Sequence, residues 1–256
     1  MDIQTISRYV SDYTAASPLN RVPQLNGQVI FGQPLIGVAD ANDPLFSRLK
    51  EETAVGAQHM SPQEWLPSAQ AVVVYFLPFT PEIRKANRVM GVAAREWMHG
   101  RIEGEAFNNA LRDSLAAFLQ AEGHQSLAPV RDSRFGVSQR RSNWSERHAA
   151  YIAGLGTFSL SRSLITAQGS AGRVGSVVTS ADLTSTPRLY HDLEEYCSKC
   201  GACILRCPPL AITEQCKDNA VCSDYLDRVQ ARFKPYYGCG KCQTGVPCES
   251  SIPPRS

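Results

Sequence analysis

A chain of 256 residues with 43% hydrophobic side chains is long enough to bury a substantial core. Its formal net charge of +2, from 26 basic and 24 acidic residues, gives no pull toward nucleic acid or an anionic membrane. No apolar run reaches the roughly 20 residues needed to span a bilayer, and the opening Met1 to Thr5 lacks the basic-then-apolar profile of an export signal, so the expected setting is a soluble, reducing cytoplasm.

In chain order, residues 2–16 read as an opening helix, and residues 28–31 and 34–39 as strand-like segments before a turn at Asn42, Asp43 and Pro44. Residues 70–77 form a continuous apolar, β-branched run ending at Pro78, the pattern of a central strand buried on both faces. Helical periodicity spans 83–99 and 105–121, the second stopped at Gly123, and a further helix covers 145–153. Residues 174–179 make a last strand. The expected fold class is α/β with mixed strand order over residues 1–190, followed by a cysteine module over 191–256. It is not a Rossmann domain, because no G-x-G-x-x-G follows a strand.

All nine cysteines lie at or after residue 197. Cys197, Cys200, Cys203 and Cys207, the last followed by Pro208, form a C-x2-C-x2-C-x3-C-P run. In such a run three closely spaced thiolates hold one cubane cluster and the fourth reaches another. A structural zinc site or disulfides are weaker readings, since a lone C-x2-C serves zinc but a triple repeat closed by C-P does not, and disulfides need an oxidising compartment. Two 4Fe-4S clusters need eight thiolates. The pairing expected is Cys197, Cys200, Cys203 and Cys248 for one, and Cys207, Cys222, Cys239 and Cys242 for the other, with Cys216 left over. Cys222 is preferred to Cys216 because it opens a helix, which would fix its thiolate.

Three stretches before the cysteines could carry chemistry. Residues 153–161 run from a helix end into a turn with Gly154 and Gly156, equally readable as a C-cap and tight bend. Residues 169–175, with Gly169, Gly172 and Gly175 around Arg173, form a second small-residue loop, and the two loops together would admit a flat ligand close to backbone. Arg131, Arg134, Arg140, Arg141 and Arg147 could grip phosphate or carboxylate, or form a solvated, ion-paired face.

The order of the helix from His148 to Gly156, the Gly172-Arg173 turn and strand, the cysteine run, and the late Tyr237, Cys239, Cys242 and Gln243 resembles epoxyqueuosine reductases and the related cobalamin-dependent reductive dehalogenases. The resemblance implies a nitroreductase-like α/β domain followed by a ferredoxin-like double 4Fe-4S module, with the clusters feeding single electrons to cobalamin, or less favourably flavin. It places Gly154, Gly156, Thr157 and Arg173 near the corrinoid. The family's catalytic aspartate has no counterpart in residues 139–143, so catalytic residues stay unassigned, with Glu146 or Asp132 as stand-ins. The chain ends eight residues after Cys248, without the helical repeats that help those reductases hold tRNA, so a tRNA substrate is not carried over. A small molecule or modified nucleoside as substrate, and a flavodoxin- or ferredoxin-type redox partner, are expected. The alternative is an electron-carrier or redox-partner-binding protein with no chemistry of its own.

Overall fold

The computed structural model describes residues 1–254. Helix α1 (Ile3–Ala16) starts where the Asp2 carboxylate accepts from Thr5 N at 2.8 Å, and it buries Ile6, Val10 and Thr14 at i, i+4 spacing. Strand β1 is Leu35–Asp40, and β2 is Ala71–Pro78. Helix α2 (Pro81–Ala86) and the 27-residue helix α3 (Arg95–Ala121) follow, then β3 (Ser126–Leu127). A two-strand hairpin, β4 (Val137–Ser138) and β5 (Arg141–Ser142), turns through Gln139 and Arg140, both at positive φ. Helix α4 (Glu146–Ile152), β6 (Gly156–Phe158), β7 (Leu164–Thr166) and β8 (Gly172–Thr179) complete the α/β part. The tail holds α5 (Ala202–Leu205) and α6 (Asn219–Phe233).

The central sheet has the non-sequential order β1-β2-β8-β3, and every pair in it is antiparallel. Strand β2 is nevertheless buried along almost its whole length, because its two faces meet two different cores. Val73, Tyr75 and Leu77 face α1 and α3 in one cluster, while Val72 and Val74 join Phe46, Trp65 and Trp144 on the other side. A continuous apolar run thus arises here in an antiparallel strand, once both faces are covered.

Helical periodicity over 83–99 does not hold, and the chain leaves α2 after Ala86. The cause is Asn87, which is fully buried: its side-chain amide donates to Cys239 O at 2.9 Å and Thr244 Oγ1 at 3.1 Å, and its Oδ1 accepts from Ala94 N at 3.0 Å. Helix α3 instead runs unbroken from Arg95, starting ten residues before the expected 105. Gly100 and Gly104 sit within it where a Cβ would press on the rings of Phe79 and Phe31.

The tail is fastened to this body by buried polar contacts. Lys241 is fully buried and donates from Nζ to Val89 O (2.6 Å), Asn87 Oδ1 (3.0 Å) and Asn87 O (3.2 Å), which offsets the cost of hiding an ammonium group. Glu249, itself buried, takes both Arg88 nitrogens (2.8 and 3.0 Å) and Gly245 N (2.6 Å). Among the described residues no helix is long and apolar enough to cross a membrane.

Candidate functional site

A cavity of about 610 Å³ opens between the body and the tail. Helix α3 lines it with Trp97, Arg101, Glu105 and Arg112, which share one face because helical neighbours recur every three to four residues. The β4–β5 hairpin contributes Arg140 and Ser142, the start of α4 Ser145, Glu146 and Arg147, and the start of β8 Gly172 and Arg173. Across from them stand Cys207, Cys222, Cys239 and Cys242, with Lys217 and Gln243.

The body wall is a network of opposite charges. Arg112, 3% exposed, reaches Glu105 at 2.9 Å and Glu146 at 3.1 Å, and its remaining nitrogen donates to Val174 O at 3.1 Å. Glu105 also holds Arg173 at 3.0 Å, and Arg173 donates to Arg101 O at 2.7 Å. Burial pulls the Arg173 pKa down to about 10 against the opposing effect of Glu105. Burial likewise raises the pKa of Glu146, with Arg112 and the Ser176 hydroxyl acting in the opposite direction. Oε2 of Glu146 is buried and has no partner within hydrogen-bond distance. Asp132, the other stand-in acid, is held down to about 2 by the Arg134 side chain and lies outside the cavity lining. The two candidates are therefore distinct: only Glu146 lines the cavity, and its pKa is shifted up where that of Asp132 is shifted down.

The thiols fall into two sets. Cys207, Cys222, Cys239 and Cys242 line the large cavity, whereas Cys197, Cys200, Cys203 and Cys248 surround a separate small void with Ser159, Leu160, Ser161 and Ile165. Cys216 lines neither, is exposed and bonds only with Thr213. Burial pushes Cys203 up to about 12, with Cys242, Cys248, Cys197 and Cys200 adding repulsion, and it pushes Cys239 up to about 11, again with Cys242, Cys222 and Cys207 as neighbours. Cys248 is raised to about 11, mainly by burial, although Ser170 donates a long hydrogen bond to its Sγ at 3.8 Å. Thiols crowded in this way resist ionising together unless a positively charged centre is shared among them. Among the described residues, no three His, Cys, Asp or Glu side chains converge tightly enough for a single metal ion, so both sets ring a space instead of a point.

The other expected residues divide. Arg173 lines the cavity, but Gly154, Gly156 and Thr157 do not. The space left by Gly154, at φ +78°, is taken by Pro187 O, where a Cβ would come to 2.8 Å. That left by Gly156 is taken by the backbone of Ile165, and Thr157 is fully buried with its Oγ1 accepting from Tyr196 N at 2.8 Å. Gly169 is similarly filled by the backbone of Glu249 and Ser250. Both glycine loops thus admit the protein's own chain at these points. Of the arginine stretch, Arg131, Arg134 and Arg141 pair with Asp113, Asp132 and Glu52 on the surface, while Arg140 and Arg147 reach the cavity. Sequence reasoning missed the α3 residues, whose signal was a polar series, Arg101, Glu105 and Arg112, recurring at helical spacing after Trp97.

Fold and site together define a mixed α/β protein with a charged cavity walled by cysteines. Its matches name the relatives. It is 27% identical over 223 residues to epoxyqueuosine reductase of Francisella cf. novicida (strain Fx1), covering 77% of this chain and 58% of that protein. It is 26% identical over 259 residues to epoxyqueuosine reductase of Bacillus subtilis (strain 168), covering 88% and 64%. The chain therefore spans less than two thirds of the length of these curated relatives. In fold it resembles the catabolic reductive dehalogenase NpRdhA (TM-score 0.61, 16% identity, 86% of this chain and 30% of that one). It also resembles an epoxyqueuosine reductase solved with an epoxyqueuosine-modified tRNA-Tyr stem loop (TM-score 0.55, 17% identity, 97% and 66%). No protein-family model matches. The resemblance read from the sequence stands: its relatives are epoxyqueuosine reductases and its structural neighbours include reductive dehalogenases.

Proposed function

We propose that this chain is an iron–sulfur reductase of the epoxyqueuosine reductase-like group, working in a reducing cytoplasm. Cys197, Cys200, Cys203 and Cys248 would hold one 4Fe-4S cluster and Cys207, Cys222, Cys239 and Cys242 a second, and the pair would supply single electrons to the cavity. The observation that carries the proposal is that the second set of four thiols forms a wall of the large cavity while the first set rings its own void next to it. Cys242 of the cavity set is among the groups that raise the pKa of Cys203 in the void set, which supports a short path between the two sets.

Cobalamin fits the donor set as the electron acceptor. Ser142, Ser145, Ser163, Ser170 and Gln243 offer neutral hydrogen-bonding groups suited to a ring that bears amides, in an open cavity that could take one face of it. What a bound corrinoid supplies is a metal that collects single electrons and spends them as a pair on substrate. The chain's own part is to exclude bulk water behind Phe76, Phe79 and Trp97, to hold position through the Arg112–Glu105–Arg173 network, and to offer Glu146, whose pKa burial raises, as the proton-handling group. The substrate class that the relatives suggest is a modified nucleoside, and the neighbour bound to a tRNA stem loop brings tRNA back as its carrier.

Protein purified without oxygen is expected to hold eight irons per chain and a broad visible absorbance that dithionite bleaches. Markedly fewer irons, or stoichiometric zinc, would end the electron-relay proposal. Cobalamin added to the reduced protein should change its spectrum on binding, and an unchanged spectrum would remove the corrinoid while leaving the clusters.

A further inference from the structure

Away from the cavity, two surface stretches carry charge of one sign. Residues 83–94 contain Arg84, Lys85 and Arg88 and no acid, and residues 196–212 contain Lys199 and Arg206 and again no acid. Arg206 joins the stretches: its guanidinium donates to Arg88 O at 2.8 Å and lies 3.4 Å from the Met90 sulfur. Of the acids at its edges, Glu249 is 5% exposed beneath Arg84 and Arg88 and Glu194 lies 3.7 Å from Lys199, while Glu82, Glu195 and Glu214 flank the two stretches in the chain.

Within this basic surround lie large apolar side chains left open to water. Leu205 is 83% exposed, Met90 64% and Val89 58%. Leu205 ends α5, the single turn that also carries Cys203, and Cys200 just before it is exposed. An apolar centre with a charged rim is the anatomy of a protein–protein contact, and here it sits over the thiols farthest from the cavity.

We propose that this face docks a small acidic one-electron carrier protein, which reduces the cluster held by Cys197, Cys200, Cys203 and Cys248. The inference rests on the electron-relay reading above. One electron leaves the carrier's reduced centre and one enters the cluster, with no bond made or broken. The basic stretches supply steering toward an acidic partner, and the apolar side chains supply contact once it has arrived. A nucleic acid would use the basic rim but gain little from Leu205 and Met90, so the carrier is the better fit.

The test is stopped-flow reduction, without oxygen, of the cluster-loaded protein by flavodoxin hydroquinone and, separately, by dithionite. The variants are Leu205→Glu and Lys85→Glu, alone and combined; neither residue lines the cavity or a thiol site. The wild-type rate with flavodoxin should fall as salt rises, and the double variant should lose about tenfold or more of that rate. Iron content and the dithionite rate should stay unchanged. An unchanged flavodoxin rate in the double variant overturns the docking proposal alone, as does a variant that instead loses self-association or tRNA binding. A wild-type protein that dithionite does not bleach overturns the relay reading, and the docking proposal with it.

Discussion

The two thiol sets share one residue type and differ in their surroundings. The cavity set has two cations beside it: Arg147, whose environment includes Cys242 and Cys222, and Lys217, which acts on Cys242. Among the described residues neither cation has a carboxylate ion-pair partner, and Arg147 donates to Arg162 O at 2.8 Å. The void set answers to a hydroxyl, Ser170, and includes the exposed Cys200. Positive charge beside a cluster favours its reduced form. If both sets hold clusters as proposed, Arg147 and Lys217 would make the cavity cluster the better electron holder, with Lys199 and Arg206 near the void set working against that difference.

The largest expected effect comes from removing a ligand on the cavity side. Cys239→Ser should lose about half the iron and abolish turnover, whereas Cys216→Ser should keep all eight irons and full turnover, as iron assay and electron paramagnetic resonance would show. A Cys216→Ser protein short of iron would mean that the sets are wrongly drawn.

Next is Glu146→Gln, which keeps the shape and removes the proton. Turnover should fall by about 10²–10⁴-fold, and the melting temperature should fall as well, because the variant takes a carboxylate partner away from the buried Arg112. Because the folded pKa is raised, wild-type activity should be present at low pH and fall as pH climbs through that pKa, and this alkaline limb should vanish in the variant. A limb that persists would assign the proton elsewhere.

Gly154→Ala tests the contrast between sealed and open glycine turns. With φ at +78° and Pro187 O in the way, it should destabilise the fold by about 1–3 kcal/mol while leaving iron content and cavity chemistry unchanged, as thermal melts and iron assays would report. The smallest expected effect is Arg147→Gln, which removes one charge. The cavity cluster should become harder to reduce by roughly 40 mV, the equivalent of about 1 kcal/mol for one electron, while the void cluster stays put. Equal shifts in both would erase the proposed difference.

What the sequence made legible was whatever depends on near neighbours. The β2 run, α1 with its Asp2 cap and the crowding of cysteines after residue 197 are local patterns. What it hid depends on distant chain. Asn87 breaks the helical rhythm because of groups at 239 and 244, more than 150 residues on. Gly154 and Gly156 looked like a ligand cradle, yet the space is occupied by residues 187 and 165. Glu146 gains its character from Arg112 and from burial, neither of which the sequence around it announces.

The anchoring of Lys241 and Thr244 on Asn87 has a further consequence for biogenesis. Residues 87–93 take their shape from side chains more than 150 positions further along, so Lys241 and Thr244 must be made before this edge of the body can close. If the cavity thiols take iron as proposed, its delivery would be coupled to the closing of this edge, and a fragment that stops before residue 239 would be left with a misshapen edge there.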